Sequence, residues 1–195
     1  MKKLIVASGN PGKLREFSQI LAPLGFEAVP QSEYNVIEAD EPHLTFLENA
    51  LEKARHASRL TGLPAMADDS GICVDALGGE PGIHSARYAG EPKSDARNNE
   101  KLLDALSHCE KRSAHYHCVI VYLRHAEDPE PVVAEGRWDG LILESPRGEG
   151  GFGYDPLFFD PVLGKTGGEL DHEIKNKVSH RAKAMTDLME KLRCI

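Results

Sequence analysis

The chain has 195 residues, 41% apolar and 28% charged, which suits a single folded domain over residues 1–195 with a core of its own. Its net charge of −8 argues against nucleic acid or an anionic membrane surface as the main partner, though not against a small anion held by local cations and a metal. Four cysteines (Cys73, Cys109, Cys118, Cys194) show no Cys-x-x-Cys or zinc spacing, the early apolar run stops at Gly9-Asn10-Pro11, and no segment is long enough to span a bilayer. Free thiols in a reducing cytoplasm are therefore expected.

Leu4 to Ala7 reads as a first strand. Ser8-Gly9-Asn10-Pro11-Gly12-Lys13 is dense in turn residues, and Leu14, Phe17, Leu21 and Leu24 then recur at helical spacing. A strand, a glycine turn and a helix N-terminus together present backbone N–H groups and a dipole to an anion, and Lys13 adds a point charge. The run also suits an ordinary βα turn. It is not a Walker A loop, because the spacing fails and Leu14 follows the lysine.

Phe26 to Val29 forms a second strand, followed by an acidic loop with Glu38, Asp40 and Glu41. Thr45-Phe46-Leu47-Glu48 is a capping-box pattern opening a helix whose buried stripe is Phe46, Ala50, Leu51, Ala54 and Ala57. Gly62 and Pro64 close it. Spacing alone assigns Asn49 and Lys53 to solvated surface, and leaves Glu41 available as a metal ligand.

Met66-Ala67-Asp68-Asp69-Ser70-Gly71-Ile72 is a short apolar run that ends in two adjacent carboxylates. Parallel strands deliver their last residues to the edge where α/β proteins place ligands. Adjacent strand residues point to opposite faces, so one of Asp68 and Asp69 is the working group. Gly78 to Gly90 is a glycine-rich excursion with the length of a lid or interface loop. Ser94 caps a helix running to about Leu106, with Leu102, Leu103 and Leu106 inward.

Tyr116 to Leu123 is a strand carrying His115 and His117 on one face, read as partly buried, hydrogen-bonded histidines. Val132 to Gly136 and Leu141 to Leu143 are read as two further strands. Gly148 to Gly153 matches Gly-x-Gly-x-x-Gly, but Tyr154 to Phe159 reads as a strand and not a helix, so the dinucleotide reading fails. Core packing accounts for Phe158 and Phe159. Phe152, among glycines, suits a stacking platform for a base, worth about 1–3 kcal/mol, with Asp155 beside it as an acceptor for a ring N–H. Lys175 and Ser179-His180-Arg181 precede a last helix with Ala182, Met185, Met189 and Leu192 on one stripe, Ser179 being its cap.

Six motifs in this order resemble the inosine/xanthosine triphosphate pyrophosphatases, which remove non-canonical purine nucleotides. They are Ser8 to Lys13, Thr45 to Ala50, Ala67 to Gly71, Gly82 to Tyr88, Phe152 to Pro156 and Ser179 to Arg181. The resemblance covers nearly the whole chain and is closest to the bacterial members. It implies an α/β fold with a long twisted mixed sheet flanked by helices, two lobes with a central cleft, and a homodimer. It implies that Ser8, Gly9, Asn10, Pro11, Gly12 and Lys13 hold the phosphates, that Asp69 is the proton acceptor, and that Glu41 and Asp69 coordinate Mg²⁺. Ser70 would touch the substrate, and Phe152, Gly153, Tyr154, Asp155, Lys175, His180 and Arg181 would form the nucleoside pocket. One departure is Gly167-Gly168, where the family's helix after Lys165-Thr166 more often begins with alanine-like residues; glycines cost roughly 1 kcal/mol each in a helix interior. A looser edge or a later helix start is expected there.

The implied reaction is hydrolysis of ITP, dITP or XTP to the monophosphate and pyrophosphate. Rival readings are a pyrophosphatase for pyrimidine or other modified nucleotides, and a nucleotide-binding regulator without catalysis. A haloacid dehalogenase-type phosphatase needs Asp-x-Asp-x-Thr, which Asp68-Asp69-Ser70-Gly71 does not supply.

Overall fold

The computed structural model describes residues 1–193. Its strands are β1 (Lys2–Val6), β2 (Phe26–Pro30), β3 (Ala65–Val74), β4 (Ser113–Leu123), β5 (Val132–Ile142), β6 (Phe158–Asp160) and β7 (Lys165–Thr166). Its α-helices are α1 (Pro11–Leu21), α2 (Phe46–Thr61), α3 (Asp95–Ala105), α4 (His172–Val178) and α5 (His180–Leu192). The strands form one open seven-stranded sheet in the order β2-β1-β3-β4-β5-β6-β7. β1 pairs parallel with β2 and β3, whereas β5, β6 and β7 pair antiparallel, so the sheet is mixed and flanked by helices, as expected.

The chain divides into two compact units. The first holds residues 1–69, 118–136 and the chain from Lys183 onward; the second holds residues 70–117 and 137–182. β3, β4 and β5 each contribute residues to both.

In the first unit the period-2 alternation of the strands sorts the core into two layers. Leu4 and Val6 of β1, Met66 of β3 and Cys118, Ile120 and Tyr122 of β4 pack with Phe17 and Leu21 of α1 and with Ala184, Met185 and Leu188 of α5. Ile5, Ala65, Ala67, Val119, Val121 and Leu123 face the other way, onto Ala50, Ala54 and Ala57 of α2. The small residues of α2 let its backbone lie close to the sheet. Thr45 caps α2 by accepting from the Glu48 N–H at 3.2 Å and donating to its carboxylate at 2.7 Å, and Gly62 ends the helix at φ +69°.

The core of the second unit gathers Ile72, Val74, Leu102, Leu106, Tyr116, Trp138, Tyr154 and Phe158. The Trp138 indole donates to Asp160 Oδ2 at 2.7 Å, which satisfies its buried N–H.

Three local expectations change and a fourth, the later helix start, is met. β5 is one eleven-residue strand, where two short ones were expected across Gly136 and Gly140. Gly140 marks a close approach: a Cβ there would lie 2.5 Å from the Phe159 carbonyl oxygen. Residues 154–157 form turns, and only Phe158–Asp160 is strand. Lys175 lies inside a short helix, α4. Gly167-Gly168 stands in no helix, which begins later at His172; a Cβ on Gly167 would fall 2.7 Å from Asp155 Oδ1, so the glycine serves close packing.

No helix among the described residues is long and apolar enough to cross a membrane. None of Cys73, Cys109 and Cys118 is in a disulfide, and Cys194 lies outside the described residues.

Candidate active site

Asp68 and Asp69 sit inside β3, not at its end, but two and three residues beyond the last β1 pairing, Val6 with Met66. They thus emerge where the parallel neighbour stops. Asp68 continues the Met66 side, towards α1, and Asp69 continues the Ala65 and Ala67 side, towards α2. Strand alternation alone decides which helix each carboxylate meets.

On the α1 side, Asp68 Oδ2 accepts from Lys13 Nζ at 2.7 Å, and the Asp68 side chain is 1% exposed. Lys13 is therefore not a free cation at the helix mouth; it neutralises a buried carboxylate. The turn before α1 is also more occupied than a bare helix N-terminus. Asn10 is the N-cap, its Oδ1 accepting from the Gly12 and Lys13 N–H groups at 2.8 and 3.2 Å. Ser8 Oγ accepts from the Asn10 N–H at 3.2 Å, and Glu38 Oε1 accepts from the Gly9 N–H at 3.1 Å. Pro11 opens the helix at its first position. The residues expected to hold phosphates form one turn, whose donors are held in place by Ser8, Asn10 and Glu38.

On the α2 side, Lys53 Nζ donates to Glu41 Oε1 at 2.8 Å and to Asp69 Oδ1 at 3.2 Å. Asn49, one turn earlier and 1% exposed, makes a long contact of 3.5 Å from Nδ2 to Asp69 Oδ2. Its amide also holds the acidic loop, accepting from the His43 N–H at 3.1 Å. Both residues were assigned to solvent by spacing, and both face Asp69. Their four-residue separation on the helix was the available signal.

Burial pushes the Asp69 carboxyl above the ordinary value of 3.8; Lys53 opposes the rise, and Glu41 and Asp68 add to it. Burial works against the Lys53 ammonium, but Asp69, Asp68 and Glu41 outweigh it and hold its pKa above 10.5. Both shifts describe a half-dry cluster with more negative charge than positive. Glu41 and Asp69 place two hard oxygens around one positive charge. Among the described residues no cluster of three His, Cys, Asp or Glu side chains is disposed to hold a metal ion, so a cation here would take its other ligands from water or substrate.

In the second unit, Ser70 follows Asp69 on β3 and is partly exposed. Phe152 is 62% exposed, and Lys175 Nζ lies 4.7 Å from its ring centroid. Asp155, 2% exposed, receives the Phe152 N–H at 2.8 Å and a short bond from Lys175 Nζ. Gly153 adopts φ +62°, the left-handed region that favours glycine. The Tyr154 hydroxyl donates to the Ser85 carbonyl at 2.8 Å. The His180 ring stacks on Tyr116, 4.7 Å between centroids and 10° from parallel, and Arg181 follows it at the start of α5. Phe152, Asp155 and Lys175 thus form one contact set, with Gly153 and Tyr154 shaping the loop between them. His180 is joined to Tyr116.

An open mixed sheet that places a buried carboxylate-lysine cluster beside a glycine turn and a helix N-terminus defines an α/β protein built to handle a phosphorylated ligand. The chain belongs to the Ham1 family, whose sequence model matches residues 4–191. It is 62% identical over 192 residues to the dITP/XTP pyrophosphatase of Nitrosomonas europaea, covering 98% of this chain and 95% of that one. It is 60% identical over 196 residues to the dITP/XTP pyrophosphatase of Ralstonia nicotianae, covering 99% and 98%. A solved HAM1 protein from Coxiella burnetii matches with a TM-score of 0.97 at 44% identity, over 100% of both chains.

Proposed function

We propose that this protein hydrolyses the non-canonical purine nucleoside triphosphates ITP, dITP and XTP to the monophosphate and pyrophosphate. The observation that carries the reading is Asp69, a buried carboxylate held by Lys53 beside Glu41, on the strand that also delivers Asp68 to Lys13. The family membership and the printed names of its relatives support the same reading.

In this mechanism Ser8, Gly9, Asn10, Pro11, Gly12 and Lys13 hold the phosphates against the N-terminus of α1. Asp69 orients a water and takes its proton as the oxygen attacks the α-phosphorus. The bond from that phosphorus to the bridging oxygen breaks, and pyrophosphate leaves. A carboxylate whose pKa burial raises above its ordinary value is a stronger base than a solvated aspartate. Lys53 keeps Asp69 ionised and aimed. Glu41 and Asp69 fit Mg²⁺, which takes one or two carboxylates and completes its shell with water and phosphate oxygens. When bound, Mg²⁺ neutralises phosphate charge and supports the leaving pyrophosphate.

The nucleoside is assigned to Ser70, Phe152, Gly153, Tyr154, Asp155, Lys175, His180 and Arg181. Hypoxanthine and xanthine present a C6 carbonyl and an N1–H, which suit the donors Lys175, His180 and Arg181 and the acceptor Asp155. Adenine presents the opposite pair and would leave these groups unmatched. The same proposal takes residues 1–195 as one catalytic domain in a cytoplasmic homodimer, and the charge of −8 supports a small-molecule substrate over nucleic acid.

A panel of nucleotides with and without Mg²⁺ tests the assignment. The expected result is kcat/KM for ITP and XTP well above GTP and further above ATP, with no turnover in chelator. Comparable rates on ATP and ITP would overturn it.

A further inference from the structure

The loop bearing Phe152 is held by residues that the sequence motifs do not touch. Asp95 is the first residue of α3 and Asn99 lies one turn on, so both project from the same helical face. Asp95 Oδ2 accepts from the Gly153 N–H at 2.6 Å, and Asn99 Nδ2 donates to the Gly153 carbonyl at 2.8 Å. Both polar groups of one left-handed glycine are therefore bound to the same helix. Asn98 extends the anchorage: its Nδ2 donates to the Ser85 and Ala86 carbonyls at 3.3 and 3.2 Å, and Ser85 in turn receives the Tyr154 hydroxyl.

Asn99 also carries a cost. Its Oδ1 is buried with no hydrogen-bond partner among the described residues, whereas most buried polar atoms are paired. A position that keeps such an atom keeps it for the bond that the other end of the amide makes, and that bond is to Gly153. The next residue back, Phe152, has its N–H bound to Asp155 and its ring largely exposed under Lys175. A ring in solvent on a backbone tied at three consecutive points is presented, not packed.

We infer that Asp95 and Asn99 are positioning residues for substrate selection, holding Gly153 so that Phe152 stands as a fixed platform for the purine. The inference rests on the proposed nucleoside role of Phe152. Because these residues act through the ring, their loss weakens recognition of the base and leaves the chemistry at Asp69 in place. KM then carries the effect, not kcat.

A double-mutant cycle in the full-length protein tests this, with circular dichroism melts to establish that each variant is folded. Asn99→Asp is isosteric and removes the donor; Asp95→Ala removes the acceptor, and Asp95→Asn restores one. Asn99→Asp and Asp95→Ala are expected to raise KM for ITP about five- to tenfold, with kcat within about twofold, and Asp95→Asn to stay near wild type. In a Phe152→Ala background neither Asn99→Asp nor Asp95→Ala should raise KM further. An unchanged KM in Phe152→Ala itself would overturn the nucleoside reading on which the inference stands. A raised KM in Phe152→Ala, with no effect of Asn99→Asp and Asp95→Ala or an equal effect in both backgrounds, would overturn the inference alone.

Discussion

Lys53 Nζ stands 3.2 Å from Asp69 Oδ1, and the two groups come from a helix and a strand that the chain brings together across sixteen residues. Burial raises the Asp69 pKa and works against the Lys53 ammonium; the contact opposes both effects. It also separates Asp69 from its neighbour Asp68, whose partner is Lys13 on the other face of the same strand.

Asp69→Asn keeps the shape of the side chain and removes the proposed proton acceptor and one carboxylate charge. Turnover should fall by at least about 10²–10⁴-fold, the range of general-base contributions. Stability should move the other way. Because the folded state raises this carboxyl above 3.8, stability declines as pH climbs through the folded value, and the ionised group is a net cost at neutral pH. A pyrophosphate-release assay and a thermal melt check both halves: activity lost, with a Tm equal to or above wild type.

Lys53→Met tests the coupling directly. Lys53 is the main influence lowering the Asp69 pKa, so its removal drives that pKa further up. In the proposed mechanism ionised Asp69 is the active form, and the acid limb of the kcat/KM profile should therefore shift to higher pH. An acid limb that stays in place would detach Lys53 from the reacting carboxylate.

Asp128 offers a contrast, since it works only for the fold. At the turn between β4 and β5 it accepts from the Arg124 N–H at 2.9 Å, from the Arg124 guanidinium at 2.8 and 2.5 Å, and from the Glu130 N–H at 3.0 Å. The hydrogen bonds from Arg124 hold its carboxyl far below the usual range, against the opposing effect of burial. Asp128→Asn should cost about 1–3 kcal/mol, or roughly 2–4 °C in Tm per kcal/mol, with kcat/KM unchanged. The stabilisation is present above pH 3.8 and lost as pH falls below it, so the gap between the melts of the two proteins should close in acid.

Much of this was legible in the sequence, and the rest failed for identifiable reasons. The caps Thr45, Ser94 and Ser179 carry their signal locally, and each stands immediately before its helix. The two-faced role of Asp68-Asp69 followed from strand alternation. The four-residue separation of Asn49 and Lys53 puts them on one face of α2, but their partners lie on β3 and in the acidic loop, so that spacing does not say what the face meets. Asn98 did leave a trace, four residues before Leu102 on the buried stripe of α3, but its polar type masked it. The run from Tyr154 to Phe159 has the composition of a strand. Asp155 overrides that propensity by accepting the Phe152 N–H and pairing with Lys175, which bends the chain.

The proposed attack of water at the α-phosphorus is followed through ITP turnover in ¹⁸O-labelled water. IMP and pyrophosphate are expected as the first products, with the label in the IMP phosphate and none in pyrophosphate. IDP with labelled orthophosphate, or label in the pyrophosphate, would contradict it.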